Sequence, residues 1–427
     1  MTRPLATLLH PKSIAFIGGA ECDIAIRQTR ALGFAGKIWA IHPKRESLGG
    51  IKCVKSLSEI DGVPDAAFIA VKREPTIELV DELSKMGGGG AVIYASGFAE
   101  TGDSGLQKAL LAAANGMPLL GPNCYGYVNG LARAALWPDE HGIEPFDSGV
   151  AIITQSGNIA CNFTFTRRAL PLAAVFAIGN QASTGMAEML AAFADDPRIT
   201  AIGMHIEGLP DIPAFARAAA LARQHRKPVV VLKTGRSEQG AKVTLSHTSS
   251  LAGADALYDA LFERYGIARV KTVTAMAETL KFLHHGGPLP GNRIVSMSCS
   301  GGEAALIADM ATERKVRFPP FDDATQSKVK ATLNEYVAID NPLDYQTFIW
   351  NQGEKLLNTY TAVLGGGFDA AMLIIDTPAD AKMNREPWLV AIRAMAKAAV
   401  ATNARSVIAA SLPECIPLDL AAELAGQ

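Results

Sequence analysis

The 427-residue chain has little excess charge of either sign: 40 Lys and Arg stand against 42 Asp and Glu, for a net charge of −2. That excludes a broad electrostatic grip on nucleic acid, which needs many cationic contacts. Cys22, Cys53, Cys124, Cys161, Cys299 and Cys415 form no CxxC pair. A zinc knuckle or dithiol motif is therefore absent, no metal site is expected, and reduced thiols are the plain reading. No apolar run reaches the length of a membrane span, because Arg, Lys or Asp interrupts every long one. The opening MTRPLATLLHPKSIAFIGGA lacks the charged, apolar and small-residue blocks of a secretion signal. A soluble, cytoplasmic protein without nucleic-acid or membrane partners is expected. Charged residues make up only 19% and hydrophobic ones 49%, so large cores can form and general disorder is excluded. The length suits two or three domains.

What is present is a rhythm of short apolar runs and longer Ala-rich amphipathic stretches. SIAFIGG, KIWAIHP, AAFIAVK, GAVIYASG and PLLGPN read as buried parallel strands, and IAIRQTRALGF, TIELVDELSKMG and GLQKALLAAANG as the helices between them. This predicts a doubly wound, Rossmann-like α/β domain over residues 1–130, then a Pro- and Gly-bearing linker over 131–148. The pattern restarts at GVAIITQSG for a second α/β domain over 149–285, and again at RIVSMSCSGGEAALIADM for a third over 286–427. The last two open alike, with a strand, a small-residue turn and a helix. Duplicated domains and two ordinary strand-to-helix turns both account for that. The final ECIPLDLAAELAGQ is a helix signal with no strand after it, so the third domain is expected to be incomplete.

Several turns suit anions. Gly18 and Gly19 join a strand to a helix in IGGAECDIAIRQ, where backbone amides and a helix N-terminus can approach a phosphate. The full GxGxxG is missing, and the next strand ends in IHPKRES rather than in an acidic ribose ligand. If this turn holds a ligand, Lys44 and Arg45 suit a phosphorylated adenosine such as coenzyme A better than NAD. A solvated loop is the alternative. AVKREP, ASGFAE and GPNCYGYVN would lie at the carboxyl edge of the same sheet. Ser156, Gly157 and Asn158 in ITQSGNIA, and Ser300, Gly301 and Gly302 in SCSGGEAA, open helices; each is a small phosphate cradle or simply an N-cap. His247 in TLSHTSSLAG differs from the other histidines in its small, hydroxyl-bearing surroundings. It is either an ordinary loop histidine or a base or covalent carrier.

Together these motifs make the chain resemble the NDP-forming acyl-CoA synthetases, the superfamily of succinyl-CoA synthetase and ADP-forming acetyl-CoA synthetase, with a hydroxycinnamoyl-CoA synthetase-like member as one possibility. SIAFIGGA, GFAGKIWAIHPK, SGFAETG, GPNCYG, TQSGNIA, IEG, GRSEQGAKVTLSHTSSLAG, GGEAALIAD and NPLDY follow one another in family order. The resemblance implies a CoA-binding domain followed by two flavodoxin-like domains. It implies that His247 is transiently phosphorylated, that Glu207 orients it, and that Ser156, Gly157 and Asn158 receive the phosphohistidine, with Gly301 and Gly302 at the matching start in the third domain. Gly18, Gly19, Lys44, Val71, Ser96, Asn123 and Cys124 fall on or near loops that hold CoA, Cys124 lining the thiol end rather than attacking. The implied reaction makes an acyl-CoA from a carboxylic acid, ATP and CoA through an acyl phosphate. Ser249 stands where the family often has glycine. No ATP-grasp domain is visible, so ATP and Mg2+ would act through one supplied in cis, by a longer chain, or in trans. A homo-oligomer is expected. Tyr125, Tyr127 and Trp137 either line a pocket for an aromatic acid or serve packing. A CoA-binding regulatory or scaffold protein that lost catalysis is the alternative function; an NAD-dependent dehydrogenase is a more distant third.

Overall fold

The computed structural model describes residues 4–101, 104–240, 242 and 255–425. They form two compact units, 1–284 and 285–427. Among the described residues no helix is long and apolar enough to cross a membrane.

Unit 1 holds two sheets. The first contains β1 (Ser13–Gly18), β2 (Lys37–Ile41), β3 (Ser47–Leu48), β4 (Ile51–Val54), β5 (Ala66–Ala70), β6 (Ala91–Ile93) and β7 (Leu119–Leu120), in the spatial order β3-β4-β2-β1-β5-β6-β7. All pairings are parallel except β3 with β4. Setting β3 aside, the strand order reverses between β1 and β5, and open α/β sheets bind ligands at such a crevice. Helices Ala20–Ala31, Arg73–Met86 and Gly105–Ala114 make the crossovers. Gly18 lets β1 lie tight on its neighbour: its φ is +151°, and a Cβ there would sit 2.5 Å from the Ala70 carbonyl oxygen.

The second sheet takes in β8 (Gly126–Asn129), β9 (Ala134–Leu136), β10 (Gly149–Thr154), β11 (Leu172–Ala177), β12 (Ile199–Ile206), β13 (Val229–Lys233) and β14 (Ala268–Val270), ordered β14-β13-β12-β10-β11-β8-β9. Its five parallel strands run 5-4-3-1-2, the flavodoxin-like order, with the switch between β10 and β12. β10, β11 and β13 are buried along their whole length, as strands covered on both faces must be.

The predicted boundary needs correction here. The 131–148 segment is not a plain linker, because β9 lies within it and pairs antiparallel with β8. β8, drawn from the GYVN expected to close the first domain, is itself a strand of the second sheet, antiparallel to β11. The hairpin carries little sequence signal because its strands are only 4 and 3 residues long. It welds the two sheets into one core. Tyr127 stacks on Phe176 at 4.7 Å between ring centroids and donates its hydroxyl to the Leu8 carbonyl at 2.8 Å.

Unit 2 contains β15 (Ile294–Ser298), β16 (Leu343–Asp344), β17 (Ala370–Ile374) and β18 (Ser406–Ala409), all parallel in the order β16-β15-β17-β18. That is 2-1-3-4, the same winding as in the second sheet. The likeness of the two openings therefore extends to topology.

Candidate functional site

β10 ends at Thr154, and after Gln155 and the N-cap Ser156 the helix Gly157–Thr164 begins. Ser156 Oγ accepts from the Ile159 amide at 3.3 Å. Thr154 Oγ1 accepts from the Ser156 amide at 3.0 Å and donates to the Ser156 carbonyl at 3.2 Å, holding the cap extended. The first amides of a helix have no partner inside it, so Gly157 and Asn158 present N–H groups and the positive end of a dipole to whatever lies ahead. Gly157 has to be small: a Cβ there would meet Tyr125 Cδ2 at 2.8 Å.

Glu207 follows β12, across the switch point from Ser156. The Gln155 side chain couples the two turns. Its Oε1 accepts from the Glu207 amide and, at 3.1 Å, from the Gly208 amide, while its Nε2 donates to the Gly208 carbonyl at 2.9 Å. Lys233, 2% exposed, donates from Nζ to the Glu207 carbonyl at 2.8 Å and to that of Thr234. It also lies 4.8 Å from the centre of the Tyr258 ring. Burial lowers its pKa.

Ser156, Gly157, Asn158 and Glu207 line a cleft of about 1070 Å³ whose other wall is the carboxyl edge of the first sheet. Val71, Ser96, Asn123 and Cys124, four of the positions expected near CoA, line it; so do Lys72, Arg73, Tyr94 and Asn180, which the motifs did not single out. Asn180 bridges the walls, donating to Glu100 and accepting from Asn123 Nδ2 at 3.4 Å. Burial drives the Cys124 thiol up to about 12, and its Sγ lies 3.5 Å from the Ile93 carbonyl oxygen. Buried and held protonated, it forms part of the cleft wall.

Three predicted CoA positions lie outside this lining. Gly18 serves strand packing. Gly19 caps a helix whose first turn carries Glu21 and Asp23, charges that disfavour an incoming anion. Lys44 sits in an exposed loop ordered by His42, whose Nδ1 accepts the Lys44 and Arg45 amides, both at 3.0 Å. Tyr127 and Trp137 are fully buried, so the packing reading of these two rings holds; Tyr94 and Tyr125 are the rings on the cleft. His247 and Ser249 lie outside the described residues.

In unit 2 the helix Gly301–Thr312 repeats the cap. Ser300 Oγ accepts from Glu303 N at 3.4 Å, and Ser298 Oγ donates to the Ser300 carbonyl at 2.8 Å, as Thr154 does in unit 1. The charge differs. Burial first, then Asp376 and Asp344, raise the Glu303 pKa. Asp344 Oδ2 is 3.2 Å from where a Gly301 Cβ would stand. Gly301 thus faces a carboxyl group, whereas Gly302 faces the Ser300 hydroxyl, and a phosphate at this start would meet the Asp344 and Glu303 carboxyls. Among the described residues no group of three or more His, Cys, Asp or Glu side chains is arranged to hold a metal.

A doubly wound sheet whose carboxyl edge shares a cleft with the helix start of a flavodoxin-like sheet places the chain among two-domain α/β proteins with a ligand crevice between their sheets. Comparison with known proteins narrows the class. Residues 12–130 match the CoA binding domain, and residues 147–283 the succinyl-CoA ligase like flavodoxin domain. The chain is 31% identical over 353 residues to the ADP-forming acetate–CoA ligase II subunit alpha of Pyrococcus furiosus, covering 78% of this chain and 74% of that one. It is 32% identical over 354 residues to the ADP-forming acetate–CoA ligase of Methanocaldococcus jannaschii, covering 80% and 49%. It is 30% identical over 371 residues to a trans-feruloyl-CoA synthase from an unidentified prokaryote, covering 84% and 52%. It thus spans about half the length of these last two relatives. The fold matches that of the dinucleotide-forming acetyl-coenzyme A synthetase 1 of Ca. Korarchaeum cryptofilum in its apo form, with a TM-score of 0.84 at 23% identity over 99% of this chain and 97% of that one. The chain belongs to the family of ADP-forming acyl-CoA ligases.

Proposed function

We propose that this chain is the CoA-binding and phosphoryl-relay part of a cytoplasmic ADP-forming acid–CoA ligase. The observation that carries the reading is the shared cleft: the Ser156–Asn158 cradle and Glu207 open onto the same space as the CoA-domain loops at Val71, Ser96 and Asn123. A carboxylate is a poor electrophile, since its charge repels nucleophiles and oxide is a poor leaving group. Phosphorylation removes both obstacles. Phosphate from ATP reaches His247, then the acid. The CoA thiol attacks the acyl phosphate carbon, its proton is lost, and inorganic phosphate leaves. The amides of Gly157 and Asn158 stabilise the transferring phosphoryl charge without reorganising. Glu207 accepts from one imidazole nitrogen of His247 and leaves the other to attack phosphorus. The ATP and its Mg2+ would come from an ATP-grasp module in cis or in a separate subunit. A homo-oligomeric assembly is part of this reading.

The half-exposed rings of Tyr94 and Tyr125, 6.1 Å apart and edge-on, favour an aromatic acid such as a hydroxycinnamate. A panel of acids assayed for CoA consumption tests this, and a clear preference for acetate refutes it. The relay is tested in reverse, which needs no nucleotide module. Acyl-CoA and labelled inorganic phosphate should give the protein an acid-labile, base-stable label that His247→Ala abolishes. Equal labelling of both proteins overturns the proposal.

A further inference from the structure

We propose that His205 is a positioning residue of the phosphoryl site, a neutral imidazole that ties the Ser156–Asn158 cradle to Thr234, where β13 gives way to the segment leading to His247. This rests on the function proposed above. His205 ends neither in solvent nor in an apolar core. Its side chain is 1% exposed at the carboxyl end of β12, between β10 and β13 in the sheet. Nδ1 lies 3.0 Å from Thr154 Oγ1, and Nε2 lies 3.2 Å from Thr234 Oγ1.

The hydrogen-bond directions close on one arrangement. Thr154 Oγ1 already gives its proton to the Ser156 carbonyl and accepts the Ser156 amide. It can therefore only accept again, so His205 Nδ1 carries the hydrogen. Nε2 is then the acceptor, and the Thr234 hydroxyl, whose other acceptor is the Ile206 carbonyl at 3.5 Å, makes its shorter bond to it. A second proton on the ring would oppose that bond and would face the buried Lys233 ammonium, whose charge with burial already lowers the His205 pKa to about 4. The imidazole thus spans, in one rigid ring, the hydroxyl that shapes the cradle and the first residue after β13. Lys233 ties the same place to the Glu207 backbone. A hydrophobic residue at 205 would fill the space but leave the two ends to move independently.

Thr234→Val deletes one hydroxyl at nearly constant shape and leaves the cap intact; Thr234→Ser restores it. The protein is incubated with [32P]phosphate and either acetyl-CoA or feruloyl-CoA, and the initial rate of labelling is measured beside the Kd for CoA. We expect Thr234→Val to label about five- to tenfold more slowly, the value of one net hydrogen bond at an exacting site, with CoA affinity unchanged. Thr234→Ser should recover to within about twofold, because only the bonding hydroxyl is required. His205→Gln, which can still reach Thr234, and His205→Asn, which can still reach Thr154, should each be slower than wild type. Wild-type labelling rates in Thr234→Val overturn the inference, as does a parallel loss of CoA affinity, which would make the network general scaffolding. Absence of label on the wild-type protein itself overturns the proposed function instead, and the inference with it.

Discussion

Acidification should expose His205 through stability as well as through chemistry. Burial first and Lys233 second hold its pKa at about 4, against 6.5 when unfolded. The unfolded chain then takes up a proton that the folded one does not. The stability contributed by the neutral ring is complete above pH 6.5 and is lost as pH falls toward 4. At about 1.4 kcal/mol per pH unit the whole window is worth roughly 3 kcal/mol, and the part between pH 7 and pH 5 about 2 kcal/mol. With Trp350→Phe and Trp388→Phe, the fluorescence of Trp39 and Trp137 reports unit 1 alone during urea unfolding. Burial also lowers the pKa of His10 and His141. Both persist in a His205→Asn variant and cancel in the difference. The stability gap between the parent and His205→Asn should therefore narrow by about 2 kcal/mol from pH 7 to pH 5. A gap independent of pH would show that folded and unfolded His205 bind the proton alike, and the buried site would not hold the ring neutral at pH 5.

Other outcomes follow from the same geometry. Ser156→Ala should cost about 1 kcal/mol in the unfolding of unit 1 through the lost cap, and should slow labelling by phosphate because the cradle amides lose their anchor. Gly157→Ala should press on the Tyr125 ring, itself packed 5.0 Å from Trp137; we expect slower acyl transfer with CoA affinity retained, measured as a fall in kcat without a rise in the KM for CoA. Cys124, raised to about 12, should stay unmodified by iodoacetamide at pH 8 until the protein is unfolded in urea, as read by peptide mass spectrometry. Lys233→Met should destabilise unit 1 by about 2–4 kcal/mol by leaving two carbonyls without their donor. Lys233→Arg, larger and forked, should not restore it.

Much of this was legible in the residues. The strands of the parallel sheets are apolar runs bounded by Gly, Pro or Ser, and a buried parallel strand can hardly be written otherwise. Ser156 and Ser300 announced themselves as caps because a cap is a local event. The β8–β9 hairpin, Gln155, Lys233 and His205 did not. Each acts through a partner far along the chain: Gln155 reaches Glu207, His205 joins Thr154 to Thr234, and Tyr127 meets Leu8. His205, in the apparent strand GMHIEG, reads as an ordinary core histidine, and nothing local to it or to Lys233 names the distant groups each one joins. The aromatic wall failed in the same way. Tyr125 and Tyr127 are two residues apart, which within one strand would put them on one face; but Tyr125 precedes β8 and Gly126, at φ +93°, turns the chain between them, so one lines the cleft and the other the core. Tyr94, from a different strand end, completes the wall.

The two serine-capped helix starts share a backbone and differ in charge, and the difference can be titrated. In unit 1 the residue that gives its amide to the cap is Ile159; in unit 2 it is Glu303. A carboxylate in the first turn is ordinarily welcome, worth a few tenths to about 1 kcal/mol against the dipole. At Glu303 the balance goes the other way. Oε2 is buried without a hydrogen-bond partner, and Asp376 and Asp344 act with burial to raise the pKa. A raised carboxyl pKa means the folded state holds its proton longer, so the cost of Glu303 builds as pH rises through and above the ordinary glutamate range, is complete above its folded pKa, and is absent well below that range. Glu303→Gln, which keeps the shape and removes the charge, should therefore stabilise unit 2 at pH 8 and do little at pH 4. Urea unfolding followed by Trp350 and Trp388 in a Trp39→Phe, Trp137→Phe background measures it. Destabilisation at pH 8 would mean that the dipole outweighs the neighbouring carboxylates, and the second cradle could then accept a bare phosphate as readily as the first.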